Sequence, residues 1–236
     1  MVYYINIKNY IIYIMTENPK LKMYYFYSCS YLFFHEHIQE RLSNYMDLKP
    51  ILINDIPEIP NQHHFTGLTI KLELVIDAIQ KNLGETIIFS DATIFIHSEN
   101  GAKLEEYINQ FHAYDICFID ESMNERYNIG FLTIKCSEKT MNFFKEALNL
   151  MQIINHDQAA VNYLLQTTEL NYIMYDHRIF CGDFREELRD SFIIYKSFIS
   201  NKNKTENFNQ RIQNFYDNRF INTETYDKWY KIENNV

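Results

Sequence analysis

Three short clusters along the chain set acids, amides and glycine where a folded chain would present them to a ligand. The first is Asp91, which closes the β-branched run TIIFSD, with Thr93 two residues on. A carboxylate at the carboxyl end of a buried strand can hold a ribose hydroxyl or a divalent metal on a diphosphate, or it can cap a turn. The second is Asn128 with Gly130 at the head of an apolar run. Glycine there lets backbone approach a ligand closely, and asparagine supplies a donor and an acceptor together. The third is Asp157-Gln158 at a helix start, which suits N-terminal capping or the binding of sugar hydroxyls. His35-x-His37 and His63-His64 lack a partner set for zinc, and Asp120-Glu121 lacks the spacing of a glycosidase acid pair. No phosphate-binding G-x-x-x-x-G-K-[ST], dinucleotide G-x-G-x-x-G or hydrolase G-x-S-x-G occurs.

The elements that must position these clusters are legible from periodicity. Strands are expected over 22–28, 50–54, 86–91, 115–120, 129–135, 172–175 and 191–196, with 93–97 continuing the third past a kink. Helices are expected over 33–46, over 66–83 with Gly84 at its end, and over 138–154 behind an N-cap at Ser137. A further helix starts at Asp157, and the polar tail reads as helical over about 205–216. This alternation predicts an α/β domain with a largely parallel, mixed sheet covered by helices. Ligands of such sheets sit at the carboxyl ends of the strands, which directs attention to Ser28, Asp91, Asp120 and Lys196.

Composition narrows the function classes. With 236 residues, 47% hydrophobic and 16% aromatic, the chain can build a large core and is not disordered. Its formal charge of −9 argues against a general nucleic-acid partner, while leaving room for a local basic pocket for a small phosphate ligand. The apolar run 2–15 is too short for a membrane span and lacks the features of a signal peptide, so it reads as a strand or an extension. The four cysteines, with no C-x-x-C, read as free thiols of a soluble, cytoplasmic protein.

Taken in order, Lys71 on a helix, Asp91-Ala92-Thr93 after a strand, Asn128-Ile129-Gly130-Phe131 and Asp157-Gln158 resemble the nucleotide-diphospho-sugar transferase family of GT-A type glycosyltransferases. The resemblance covers 23–204, leaving 1–22 as an extension and 205–236 as a polar helical tail. It implies a single nucleotide-sugar-binding domain that transfers a sugar, from a UDP-sugar in particular, to a hydroxyl acceptor. Residues 28–31, with Ser28 and Tyr31, would then face the nucleotide, Lys71 would stand on the preceding helix, and Asp91 would lie near the ribose and diphosphate. Asn128, Gly130, Asp157 and Gln158 would surround the sugar and acceptor, with Asp157 near the reacting carbon. Two departures stand out: Thr93 replaces the second acid of the D-x-D motif, and Lys196 occupies the place of a late metal-binding histidine. The expectation is therefore chemistry with no required metal, Mn²⁺ or Mg²⁺ through Asp91 being the other option. Lys196 would meet the diphosphate charge, with Lys202 and Lys204 close behind. The alternative is a catalytically silent nucleotide-sugar or glycan-binding module of the same fold.

Overall fold

A computed structural model describes residues 2–7, 10–15, 20–53, 63–96, 101–120, 127–175, 179–181 and 194–196 of the chain. Its first strands, β1 (Val2–Ile7) and β2 (Tyr10–Met15), pair antiparallel as a separate two-stranded sheet. The main unit then runs β3 (Lys22–Tyr27), α1 (Leu32–Leu42), β4 (Asp47–Leu52), α2 (His63–Lys81), β5 (Thr86–Asp91), β6 (Ile94–Ile96) and α3 (Gly101–Asn109). It continues with β7 (Ile116–Asp120), β8 (Tyr127–Lys135), α4 (Glu138–Ile154), α5 (Asp157–Leu165), β9 (Tyr172–Met174), β10 (Ile179–Cys181) and β11 (Ile194–Lys196). These strands form one sheet in the order β4-β3-β5-β8-β7-β10-β11-β6, with β9 also on β7. Five of its eight pairings are parallel, and β8 runs against both of its neighbours. The expected largely parallel, mixed sheet flanked by helices is the fold the chain adopts. Among the described residues no helix is long and apolar enough to cross a membrane.

The side-chain period of two in the strands sorts the core into two halves. Met23, Tyr25, Ile88, Cys117 and Ile119 point to one face, where α1 and α3 cover them. Tyr24, Phe26, Ile87, Phe89, Ile116 and Phe118 point to the other, against α2, α4 and α5. Helix α4 starts as its sequence predicts: the Ser137 hydroxyl accepts from the Thr140 N–H at 3.1 Å, and Thr140 answers by accepting from the Ser137 N–H at 3.0 Å. Gly84, just past α2, takes φ 88°, a left-handed conformation that glycine adopts without a Cβ penalty. At Gly101 a Cβ would overlap the Tyr45 ring and crowd the Arg41 carbonyl, so glycine lets α3 begin against the end of α1.

Several boundaries differ from the sequence expectation. Helix α1 stops at Leu42, because Leu42 O receives the N–H groups of both Tyr45 and Met46 and closes a turn there. Strand β4 begins at Asp47, held by β3 through the register Lys22↔Asp47 to Tyr27↔Leu52, and tolerates Pro50 because it lies at the sheet edge. Strand β6 does not continue β5. A tight turn, with Ile94 N–H donating to Ala92 O at 2.8 Å, redirects the chain to the opposite end of the sheet, where β6 pairs with β11. Elements α3 and β10 had no expectation. The tail helix over 205–216 lies outside the described residues.

His37 ties α1 to β6, its Nε2 accepting from the Ile96 N–H at 3.2 Å. Burial, with a smaller push from Arg41 one turn on, lowers its pKa to about 3. The folded protein therefore holds a neutral ring that the unfolded chain protonates near pH 6.5, so stability should fall as pH drops from about 6.5 toward 3, by about 1.4 kcal/mol per unit at most. Urea unfolding at pH 7 and pH 5 should show wild type losing up to about 2 kcal/mol more than His37→Gln. An equal acid loss in both proteins would remove His37 as the cause.

Candidate functional site

The topology gathers the candidate residues at one edge of the sheet. Strands β3, β5, β7, β10 and β11 end there, while the antiparallel β8 and β6 begin there. Ser28 follows β3, and Asp91, which closes β5, lies opposite Phe26 in the β3–β5 register. Thr93 stands in the turn just before β6, and Asn128 is the second residue of β8. At the backbone level Lys196 pairs with Ile94, which puts position 196 alongside the residue after Thr93. Ser28 caps a short 3-10 turn with Tyr31 at its end, whose ring is half-buried and tilted against Phe34. Lys202 and Lys204 lie outside the described residues.

The strongest interaction at this edge is ionic. Parity places Asp91 on the same face as Ile87 and Phe89, hence toward α2. Lys71 stands on the inner stripe of α2, one turn before Val75 and continuous with Ala78 and Ile79. Its ammonium meets Asp91 Oδ1 at 2.8 Å and Asp157 Oδ2 at 3.8 Å. The Lys71 and Asp157 side chains are 7% and 4% exposed, against 20% for Asp91, so solvent reaches the cluster from the Asp91 side. A buried ammonium needs such partners, since desolvation of an unpaired charge costs several kcal/mol. Asp157 is not the cap of α5. His156 does that work, its Nδ1 accepting from the Ala159 N–H at 3.3 Å. Asp157 stands in the first turn, where a carboxylate is favoured, and Oδ1 accepts from the Gln158 N–H at 2.7 Å while Oδ2 turns to Lys71.

Asn128 and Gly130 shape the backbone rather than leaving their groups open. Asn128 Oδ1 accepts from the Gly130 N–H at 2.7 Å, and the Gly130 carbonyl accepts from the Ser90 hydroxyl at 3.3 Å. The closed turn coincides with an irregularity in the β7–β8 register, which jumps from Phe118↔Leu132 to Ile119↔Asn128. Asn162, on α5, is the residue that sequence reasoning missed. Its Oδ1 accepts from the Tyr127 N–H at 3.0 Å, and its Nδ2 donates to the carbonyls of Tyr127 at 2.7 Å and Gln158 at 2.9 Å. Its side-chain amide thus takes the place of a neighbouring strand at the head of β8, and fixes the Asp157-Gln158 turn against Asn128. An asparagine inside an apolar helical stripe was the available signal.

Among the described residues no three His, Cys, Asp or Glu side chains converge as a metal site, and Asp91 Oδ1 already carries an ammonium. Burial pushes the Cys117 and Cys136 thiols up to about 12, which keeps both protonated.

The architecture is one that solved glycosyltransferases share. The chain superposes on a glycosyltransferase involved in the glycosylation of the major capsid of PBCV-1, with TM-score 0.58 and 12% identity, over 81% of this chain and 98% of that one. It also superposes on the glycosyltransferase GlyE of Streptococcus pneumoniae TIGR4, with TM-score 0.52 and 12% identity, over 92% of this chain and 64% of GlyE. At that identity the likeness is one of fold. No family model matches the chain, and no curated protein sequence matches it.

The ion cluster makes a stability prediction. Lys71→Met strands Asp157 in the core beside Asp91 and should cost about 3 kcal/mol or more, while Lys71→Met/Asp157→Asn should recover part of that loss. Urea unfolding of the three proteins checks it. A loss below about 0.5 kcal/mol in Lys71→Met would show that the two carboxylates do not depend on the lysine.

Proposed function

We propose that this protein is a glycosyltransferase that moves a sugar from a nucleotide-diphospho-sugar, a UDP-sugar, to a hydroxyl acceptor. The observation that carries the reading is one buried lysine shared between a strand-end aspartate and a helix-start aspartate, at the ligand-binding edge of a fold known from glycosyltransferases. The nucleotide lies over the ends of β3 and β5, past Ser28 and Tyr31, with Asp91 toward the ribose. Asn128, Gly130 and Gln158 border the sugar. Asp157 places negative charge beside the anomeric carbon as that carbon becomes electron-poor, and Lys71 holds both carboxylates at fixed positions.

In the reaction the bond from the anomeric carbon to the diphosphate oxygen breaks and the acceptor oxygen bonds to that carbon. The acceptor's proton leaves with the released diphosphate or to solvent. The charge that builds on the diphosphate needs a cation, which Lys196 supplies from the end of β11, with Lys202 and Lys204 following in sequence. The buried free thiols Cys117 and Cys136 suit a reducing, cytoplasmic setting.

The first test is thermal stabilisation by a panel of nucleotide sugars, where a ligand at 100 times its Kd adds ~2.7 kcal/mol. With the donor found, transfer should fall by about 10² in Asp157→Asn with the fold intact. It should change little with EDTA and drop strongly in Lys196→Ala. Wild-type turnover in Asp157→Asn would remove that residue from the chemistry, and abolition by EDTA would establish a metal site in place of Lys196. Donor binding without turnover toward any acceptor would instead identify a silent nucleotide-sugar-binding module.

A further inference from the structure

On the opposite face of the sheet from the ion cluster, four side chains form a linked group at the end of β3. The Gln39 amide Nε2 donates to the Tyr25 hydroxyl at 2.9 Å, and that hydroxyl lies 2.9 Å from His35 Nδ1. Tyr25 is fully buried and its pKa is pushed up to about 12, so it keeps its proton. A buried hydroxyl that accepts from Gln39 must find an acceptor for its own proton, and among the described residues His35 Nδ1 is the acceptor within reach. The imidazole is thereby fixed as the tautomer with its proton on Nε2. Burial lowers the His35 pKa, which favours the same neutral ring.

The ring is also fixed in plane. It stacks on Tyr27, the last residue of β3, with centroids 4.3 Å apart and 7° between planes. Both side chains are half-buried, and no described residue meets Nε2. The last residues of β3 lie one strand, about 4.8 Å, from Asp91, so a ligand that engages Asp91 can reach this pair over the strand ends. A rigid aromatic pair with one unspent N–H is a reader of flat ligands with an acceptor edge.

We propose that His35 reads the base of the nucleotide, its Nε2–H donating to a carbonyl oxygen at the base edge, so that the site takes keto bases over amino bases: uracil over cytosine. An amino group at the same place would set donor against donor and leave the histidine N–H unmet. This inference rests on the nucleotide-sugar reading above and names the residue that makes the base specific.

The experiment is calorimetric titration of UDP, CDP and inorganic pyrophosphate into wild type, His35→Phe, His35→Gln and Tyr27→Leu. Wild type should prefer UDP over CDP about tenfold. His35→Phe, which keeps a flat ring, should lose that preference while pyrophosphate binding stays unchanged. His35→Gln, which keeps an outward donor, should retain part of it, and supplies the comparison if the phenylalanine variant does not fold. Tyr27→Leu should weaken UDP and CDP together. An unchanged UDP-to-CDP ratio in folded His35 variants, or a wild-type preference for CDP, overturns the role of His35 and leaves the site reading standing. A folded wild type that binds no nucleoside diphosphate overturns both.

Discussion

A lysine ammonium buried midway along α2 is the constraint around which this edge of the protein is built. Lys71 continues the stripe that packs Val75, Ala78 and Ile79 into the core, so its charge has little access to water. Two carboxylates answer it, one from a strand and one from another helix. Both are held from behind. The parallel pairing of β5 with β3, which sets Phe26 opposite Asp91, fixes Asp91, and Asn162 fixes the start of α5 to the head of β8. The cost of leaving any of these charges unmet makes α2, β5 and α5 a unit, and that unit lies where an open α/β sheet receives ligands.

The sheet divides labour between its faces. The α2 face carries the charges, and the α1 face carries the aromatic group of Tyr25, Tyr27, His35 and Gln39. Strand parity alone produces this division, because Asp91 follows Ile87 and Phe89 while Tyr27 follows Met23 and Tyr25. A nucleotide sugar has the same two-ended chemistry, a flat base at one end and a charged diphosphate with a polyhydroxyl ring at the other. In the proposed reading a ligand lying over the ends of β3 and β5 turns its base to the aromatic face and its sugar toward the acids, while Lys196 meets the diphosphate.

Much of this was legible from residues. The runs 86–91 and 138–154 predict β5 and α4 because β-branched clustering and a capping serine are local signals. The edge shared by Ser28, Asp91 and Lys196 follows from strand-end logic alone. What could not be read was non-local. Residues 93–97 look like an extension of β5, and only the turn at Ala92 and the pairing with β11 send them elsewhere. The pairing of Lys71 with two acids needs α2, β5 and α5 to be docked, and sequence distance hides it. Asp157 reads equally as a cap or a ligand group until His156 is seen to take the capping role. Asn162 and His35 depend on hydrogen bonds to backbone or to a buried hydroxyl, which residue spacing does not encode.

The central claim is that Asp91 and Asp157 act as one unit through the lysine they share. A double-mutant cycle on UDP-sugar affinity, with Asp91→Asn, Asp157→Asn and the double variant measured by calorimetry, tests it most directly. The account predicts non-additive losses, with a coupling of about 1 kcal/mol or more, because each substitution loosens the lysine that positions the other acid. Losses that add within about 0.5 kcal/mol would show two independent side chains and contradict the account.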